Sequence, residues 1–398
     1  MSQSTAIVSP TAPRRILVRG VNWLGDAVMS TPALLRLRGK FPQAHIALLT
    51  PEKLRDLWLK HPAVNETLTF ADGDSPFAVG RKLRAGKFDL ALVLPNSPRS
   101  ALEVWLARIP QRIGYARPWR NWFLTHAVPT RPGHVFMHKR SVAEINELIR
   151  QPVKASPLPP SAHQMHEYLH LVSLLGASAE PLAPRLEIGE DEVQAAKRKF
   201  GLTDGLLFGL NPGAEYGPAK RWPVDRFIAA AKEIQQRTNC TWIIFGGKGD
   251  LTLAGQIESE IQNLVGQTTL RELCALFKCC RVVLTNDTGP MHLAAAVGTP
   301  VVVPFGSTSP ELTGPGLPSP LRHPSPAGAG EGGPASAGPG EGSWRKLTFR
   351  SGPHAFIKSD APCSPCFLRE CPIDFRCMQG IGVECVVEAV LQTLAQVR

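Results

Sequence analysis

The sequence predicts an α/β protein made of two Rossmann-like, doubly wound domains, and three observations carry that expectation. From residue 14 onward, short β-branched and aliphatic runs alternate with helical patterns, as parallel strands buried on both faces require. The rhythm stops in a Pro/Ala-rich stretch, 177–189, and then restarts. Finally, 398 residues exceed one core, whereas two domains of roughly 100 to 200 residues account for the length.

In the first half, 14–19 reads as a strand, followed by a Gly-rich loop, 20–26, and a helical pattern over 27–40. Thr31-Pro32 suits a cap and first-turn pair, so the helix starts either at Asp26 with a kink at Pro32 or at Thr31 itself. Residues 45–50 form a second strand, 52–60 a short helix and 89–95 a further buried strand. The stretch 108–140 is rich in Arg, Trp and His, and a basic, aromatic surface of this kind suits a phosphorylated sugar or lipid headgroup. A helix over 163–176 precedes the linker, giving expected domains of 14–180 and 190–398.

The second half repeats the pattern. A helix over 190–200, a strand over 206–211, a loop over 212–222 and a helix over 223–237 are followed by a strand over 241–246. Helices over 249–262 and 268–280 then lead to a buried strand ending at Leu284, an alanine-rich helix from Pro290, and a strand over 299–306. Residues 314–343 are low-complexity Pro, Gly, Ala and Ser, expected to be a disordered insertion. A strand over 354–359 and an amphipathic helix over 383–397 close the chain.

Composition narrows the function. Hydrophobic residues at 43% and charged residues at 19% fit a globular enzyme, and a formal charge of +11 favours an acidic partner. The basic residues are dispersed rather than blocked, which favours phosphate-bearing small molecules or lipids over nucleic acid. No apolar run approaches the roughly 20 residues of a membrane span, and residues 1–13 lack a signal-peptide core, so a cytoplasmic location is expected. Nine cysteines then read as thiols or metal ligands.

Three motifs carry chemistry. Around Thr285-Asn286-Asp287-Thr288-Gly289-Pro290-Met291-His292, a strand turns into a helix whose first amides are placed to receive an anion, with His292 in the first turn. The loop Asn211-Pro212-Gly213-Ala214-Glu215-Tyr216-Gly217-Pro218-Ala219-Lys220-Arg221-Trp222-Pro223 sets two cations between a strand and a helix, as a diphosphate clamp would. Neither the Walker nor the Gly-x-Gly-x-x-Gly pattern is present. Gly25-Asp26 stands at the carboxyl end of the first strand, where Asp26 is either a helix cap or a general base towards a hydroxyl. Asp72-Gly73-Asp74 reads as a polar turn. The tail Cys363-x-x-Cys366-x4-Cys371-x5-Cys377 has enough thiols for zinc or an iron–sulfur site, but its spacing matches no standard signature.

These three motifs, in this order, resemble the ADP-heptose:lipopolysaccharide heptosyltransferases of glycosyltransferase family 9. Trp23-Leu24-Gly25-Asp26 and the Gly213–Pro223 loop look closest to the heptosyltransferase II branch. The resemblance spans roughly 14–310; the insertion and the cysteine tail depart from it. It implies a GT-B architecture with two Rossmann-like domains facing a central cleft, and an inverting transfer of heptose from ADP-L-glycero-β-D-manno-heptose to the first heptose of the inner core. It further implies Asp26 as catalytic base and Lys220 as the cation neutralising the departing diphosphate. Asp287, Thr288, Gly289, His292, Gly213 and Arg221 are then expected at the donor, and Arg112, Arg117 and Arg120 at the phosphorylated acceptor. No cofactor or catalytic metal is expected, nor nucleic acid; a monomer touching the cytoplasmic face of the inner membrane is. The competing readings are heptosyltransferase I or another family member with a different acceptor, a nucleotide-sugar epimerase, and a non-catalytic binding module.

Overall fold

The computed structural model describes residues 12–151, 158–257, 261–317 and 346–397. Two compact units emerge: Met1–Val135 with Ser161–Glu187, and Phe136–Pro160 with Ile188–Arg398.

The first unit holds a six-stranded, all-parallel sheet: β1 (Arg15–Arg19), β2 (His45–Pro51), β3 (Glu66–Phe70), β4 (Leu90–Val93), β5 (Gln111–Tyr115) and β6 (His126–Val128). Their order, β3-β2-β1-β4-β5-β6, reverses between β1 and β4, which creates the crevice that doubly wound folds use for ligands. The aliphatic runs explain the centre of this sheet: Leu17, Leu48 and Leu92 are fully buried. The first helix is continuous over Leu24–Lys40 and carries Pro32 inside it, so Asp26 lies in its first turn. That helix packs on the helix Met165–Ser173.

The second unit repeats the winding with β7 (Leu207–Asn211), β8 (Thr241–Ile244), β9 (Gln262–Asn263), β10 (Val282–Thr285), β11 (Val301–Phe305), β12 (Lys346–Ser351) and β13 (His354–Ser359). The order is β12-β13-β11-β10-β7-β8-β9, with β12 alone antiparallel at one edge. Here the reversal falls between β7 and β10. The helices Val224–Thr238 and Val383–Gln396 pack together over one face, and Glu190–Phe200 packs with Leu270–Cys279.

Several local expectations change. The 249–262 helix is instead a 3-10 turn, Lys248–Asp250, a four-residue helix, Leu251–Ala254, and the edge strand β9, because Gly249 and Gly255 interrupt the helical run. The 52–60 helix is a 3-10 turn, Glu52–Trp58. The units divide at Glu187/Ile188, inside the expected linker, but residues 136–151 and 158–160, placed with the first half by sequence, pack with the second unit. Their helix Val142–Arg150, closed by a Ser141/Glu144 capping box, buries Ile145 in the core that contains Trp222, Cys363 and Cys366. Of the expected disordered insertion, 318–343 lies outside the described residues.

Candidate active site

The chemistry of the second unit gathers at the carboxyl ends of β7, β10 and β11. β10 runs directly into Asn286 and Asp287, and the helix Gly289–Ala296 follows with Pro290 in its first turn. Thr288 is extended and its hydroxyl does not cap the helix. The side chain of the buried Asn286 fixes the neighbouring loop instead: its Oδ1 accepts from the Trp222 amide at 2.9 Å, and its Nδ2 donates to the Pro212 carbonyl at 2.7 Å.

Lys220, on the loop after β7, donates from Nζ to Asp287 Oδ2 at 2.7 Å, and Thr308, after β11, donates to the same oxygen at 2.6 Å. Asp287 is 3% exposed. Burial alone would raise its carboxyl, but the charge and hydrogen bond of Lys220, the Thr308 hydroxyl and the nearby His292 together hold it below its ordinary value. A buried, ionised carboxylate thus holds an ammonium at the switch point of a doubly wound sheet, and that ammonium lies over the Tyr216 ring at 5.1 Å.

Lys220, Asp287 and His292 therefore meet. Arg221 does not join them: it donates to the Ala214 carbonyl at 3.3 Å and lies 3.8 Å from Asp250 Oδ1. Gly213 is tightly enclosed, since a Cβ there would stand 2.5 Å from the Asp250 carboxyl. Asp250 itself accepts from the Gly247 amide at 3.0 Å, so the loop after β8 closes beside the loop after β7.

In the first unit, the Tyr168 hydroxyl donates to Asp26 Oδ1 at 3.1 Å. Burial, then the Asp26 charge, pushes the Tyr168 phenol well above its ordinary value, so it stays protonated as a donor. Asp26 is only half-buried and occupies a helix N-terminus, where a carboxylate is favoured. Below it, Arg19 donates to Glu103 at 2.9 Å and to Asn22 at 2.8 Å, bracing the loop that leads to Asp26.

The three acceptor arginines have different surroundings. Arg112 is taken up by the carbonyls of Ile109, Pro110 and Phe123. Arg117 donates to Ala116 and to Thr130, at 2.8 and 3.1 Å. Arg120 is fully buried and donates to Asn96 Oδ1 at 3.2 Å, leaving Nε and Nη2 without partners among the described residues. Burial, reinforced by the nearby Arg117, lowers it to about 10.

Sequence reasoning missed Tyr168 and Thr308, and it read Asn286 as a helix-cap type, whereas its side chain fixes the neighbouring loop. Thr308 had a usable signal, a Gly-Ser-Thr-Ser-Pro turn straight after a buried strand. Tyr168 had none, because its partner is 142 residues away.

The profile of glycosyltransferase family 9 (heptosyltransferase) matches residues 77–321. The lipopolysaccharide heptosyltransferase 2 of Salmonella typhimurium is 32% identical over 76% of this chain and 85% of its own length. The lipooligosaccharide heptosyltransferase 2 of Haemophilus ducreyi is 33% identical over 76% and 86%. The structure of E. coli ADP-heptose lps heptosyltransferase II superposes with a TM-score of 0.70 at 26% identity, covering 96% of this chain and 99% of that one. With two Rossmann-type units of the GT-B class and this degree of likeness, the chain belongs to glycosyltransferase family 9, the heptosyltransferases.

Proposed function

We propose that the chain transfers heptose, with inversion, from ADP-L-glycero-β-D-manno-heptose to a hydroxyl of the first heptose of the phosphorylated lipopolysaccharide inner core. The observation that carries this reading is the Lys220–Asp287–Thr308 cluster at the switch point of the second sheet, together with the family relationship.

Asp26 takes the acceptor proton as the hydroxyl oxygen attacks the anomeric carbon; the bond from that carbon to the phosphate oxygen breaks, and ADP leaves. Tyr168 orients the Asp26 carboxylate through its hydroxyl. Lys220 turns its ammonium from Asp287 towards the departing diphosphate, and the amides of Thr288 and Gly289 at the helix start add partial positive charge. Asp287 and His292 contact heptose hydroxyls; Gly213 and Arg221 shape the nucleotide side. Arg117 binds an acceptor phosphate, with the nearby buried Arg120 adding positive charge behind it, while Arg112, committed to backbone carbonyls, holds its own loop. Trp119 and Trp122, 87% and 90% exposed, give the first unit aromatic anchors for peripheral contact at the cytoplasmic face of the inner membrane, and the chain acts as a monomer. Among the described residues no helix is long and apolar enough to cross a membrane.

The test is ADP release from ADP-heptose with and without an inner-core acceptor bearing one heptose, with mass spectrometry of the acceptor. Gain of one heptose that requires Asp26 supports the reading. Extension of a Kdo-terminated acceptor instead moves the assignment to a sister transferase, and donor turnover without acceptor favours an epimerase.

A further inference from the structure

The tail cysteines, which the reaction above does not use, converge in space. Cys363, Cys366, Cys371 and Cys377 all line one cavity of about 10 Å³, with Ser307 and Arg376 beside them. Such a space holds one ion or one water and excludes a metabolite. All four are free thiols, and three of them are buried.

We propose that these four cysteines form a closed, structural site for one soft divalent transition-metal ion of the zinc or ferrous type. Thiolate donors select such ions over calcium or magnesium, and four protein ligands leave no open position for substrate. The surroundings are arranged for thiolate charge. The Phe375 amide donates to Cys371 Sγ at 3.3 Å, and the Leu368 and Met378 amides serve Cys366 and Cys377. Binding would release four thiol protons and leave a net charge of about −2 on the ion and its four thiolates. Arg376 lines the cavity, and Arg140, whose amide donates to the Cys366 carbonyl, keeps a buried Nη1 without a partner among the described residues. Arg376 is already paired with the Asp374 carboxylate, at 2.8 and 3.0 Å, so the balance of that charge falls mainly to Arg140. No group of three or more candidate ligands is already drawn together among the described residues, so the ion closes its sphere by rotating thiols into the cavity.

The site would brace the two loops that grip Asp287. Tyr216 Oη donates to the Phe367 carbonyl at 2.9 Å, Arg369 Nε donates to the Tyr216 carbonyl at 2.7 Å, and the Ala219 amide donates to the Arg369 carbonyl at 3.0 Å. On the other side, the Phe367 amide donates to the Ser307 carbonyl and Ser364 Oγ to the Gly306 carbonyl, both at 2.7 Å. The lobe thus bridges the Lys220 loop and the Thr308 loop. This consequence for donor binding rests on the function proposed above, whereas the metal content does not.

The test uses the full chain purified without chelator, with zinc and iron counted by mass spectrometry. The expected result is one ion per chain, replaceable by Co²⁺ with the intense visible bands of a tetrahedral cobalt thiolate. Cys366→Ser and Cys377→Ser should lose that spectrum, and Cys385→Ser should keep it. Because a serine variant can fail to fold, the unaltered chain supplies a second measurement: a maleimide should reach four more thiols after chelation than before. ADP titrated into the chelated chain should bind about tenfold more weakly and recover on adding Zn²⁺. The proposal is overturned if the unaltered chain, supplied with Zn²⁺ or Fe²⁺ without oxygen, holds less than about one ion per ten chains. It is equally overturned if bound Co²⁺ shows no thiolate bands. A bound ion whose removal leaves ADP affinity unchanged overturns the bracing of the donor loops.

Discussion

Replacing Lys220 with Met separates the structural and chemical uses of one ammonium. The Lys220 and Asp287 side chains are 15% and 4% exposed and meet at 2.7 Å. At an effective dielectric near 20 their attraction is about 6 kcal/mol, and desolvation of both groups offsets most of it. Removing the cation leaves Asp287 as a buried charge with the Thr308 hydroxyl still on Oδ2, so the expected loss is about 3 kcal/mol, the low end for breaking a buried pair. For a unit of this size that lowers the melting temperature by about 6–12 °C. Adding Asp287→Asn removes the stranded charge, and the double variant should recover more than half of the lost stability. Activity should behave differently: the single and the double variant both lack the charge on the leaving diphosphate and should lose about 100- to 1000-fold in kcat. Thermal unfolding and ADP release, measured on the same three proteins, decide the matter. A double variant that regains activity along with stability would sink the leaving-group role, and a Lys220→Met protein that melts with the wild type would sink the buried-pair argument.

Other consequences are equally direct. Tyr168→Phe removes the donor to Asp26, so the carboxylate is less stabilised and the acid limb of the kcat/KM profile should move up by about one pH unit; an unmoved limb would mean that Asp26 is not the base. Burial lowers His61, and likewise His354, to about 4. Since the unfolded chain takes up those protons near pH 6.5, stability should fall as pH drops from about 6.5 to 4, by up to about 1.4 kcal/mol per pH unit for each imidazole. Chemical denaturation of His354→Gln should show the shallower slope. At Gly217, φ is +153° and a Cβ would stand 2.4 Å from the Arg369 carbonyl, so Gly217→Ala should displace the Lys220 loop and cost about 1–3 kcal/mol in donor binding, read by ADP titration. Gly39→Ala, in the first helix with open space around it, should instead raise stability by about 0.5–1 kcal/mol.

Sequence alone determined what depends on neighbours in the chain. The buried aliphatic runs of β1, β2, β4, β7 and β10 announce themselves because a strand covered on both faces is mostly apolar, its few buried polar residues, such as Arg19, Asn211 and Thr285, lying at the carboxyl ends. The strand-to-helix turns at Asp26 and Asp287 and the Lys220 loop were legible for the same reason: cap types, Pro and Gly act within a few residues. Even so, Ser75-Pro76 and Ser97-Pro98, both N-cap and first-turn pairs, went unread, and with them the helices Pro76–Arg84 and Pro98–Leu106. The short strands β3, β5 and β6 were missed because their partly exposed residues dilute the apolar pattern.

Tertiary structure decided every relation that spans the chain. Tyr168 reaches Asp26 across 142 residues, and Thr308 and Lys220 converge on one oxygen of Asp287 from two loops. Arg221, the neighbour of Lys220, turns away to Asp250. Residues 136–151 leave the half they follow, and Ile145 is buried beside Cys363 and Cys366 in the core of the second unit. The four tail cysteines have an uninformative spacing yet share one cavity. Local propensity constrains a few residues at a time, whereas packing and charge pairing select partners by distance in space, and no periodicity in the sequence encodes that distance.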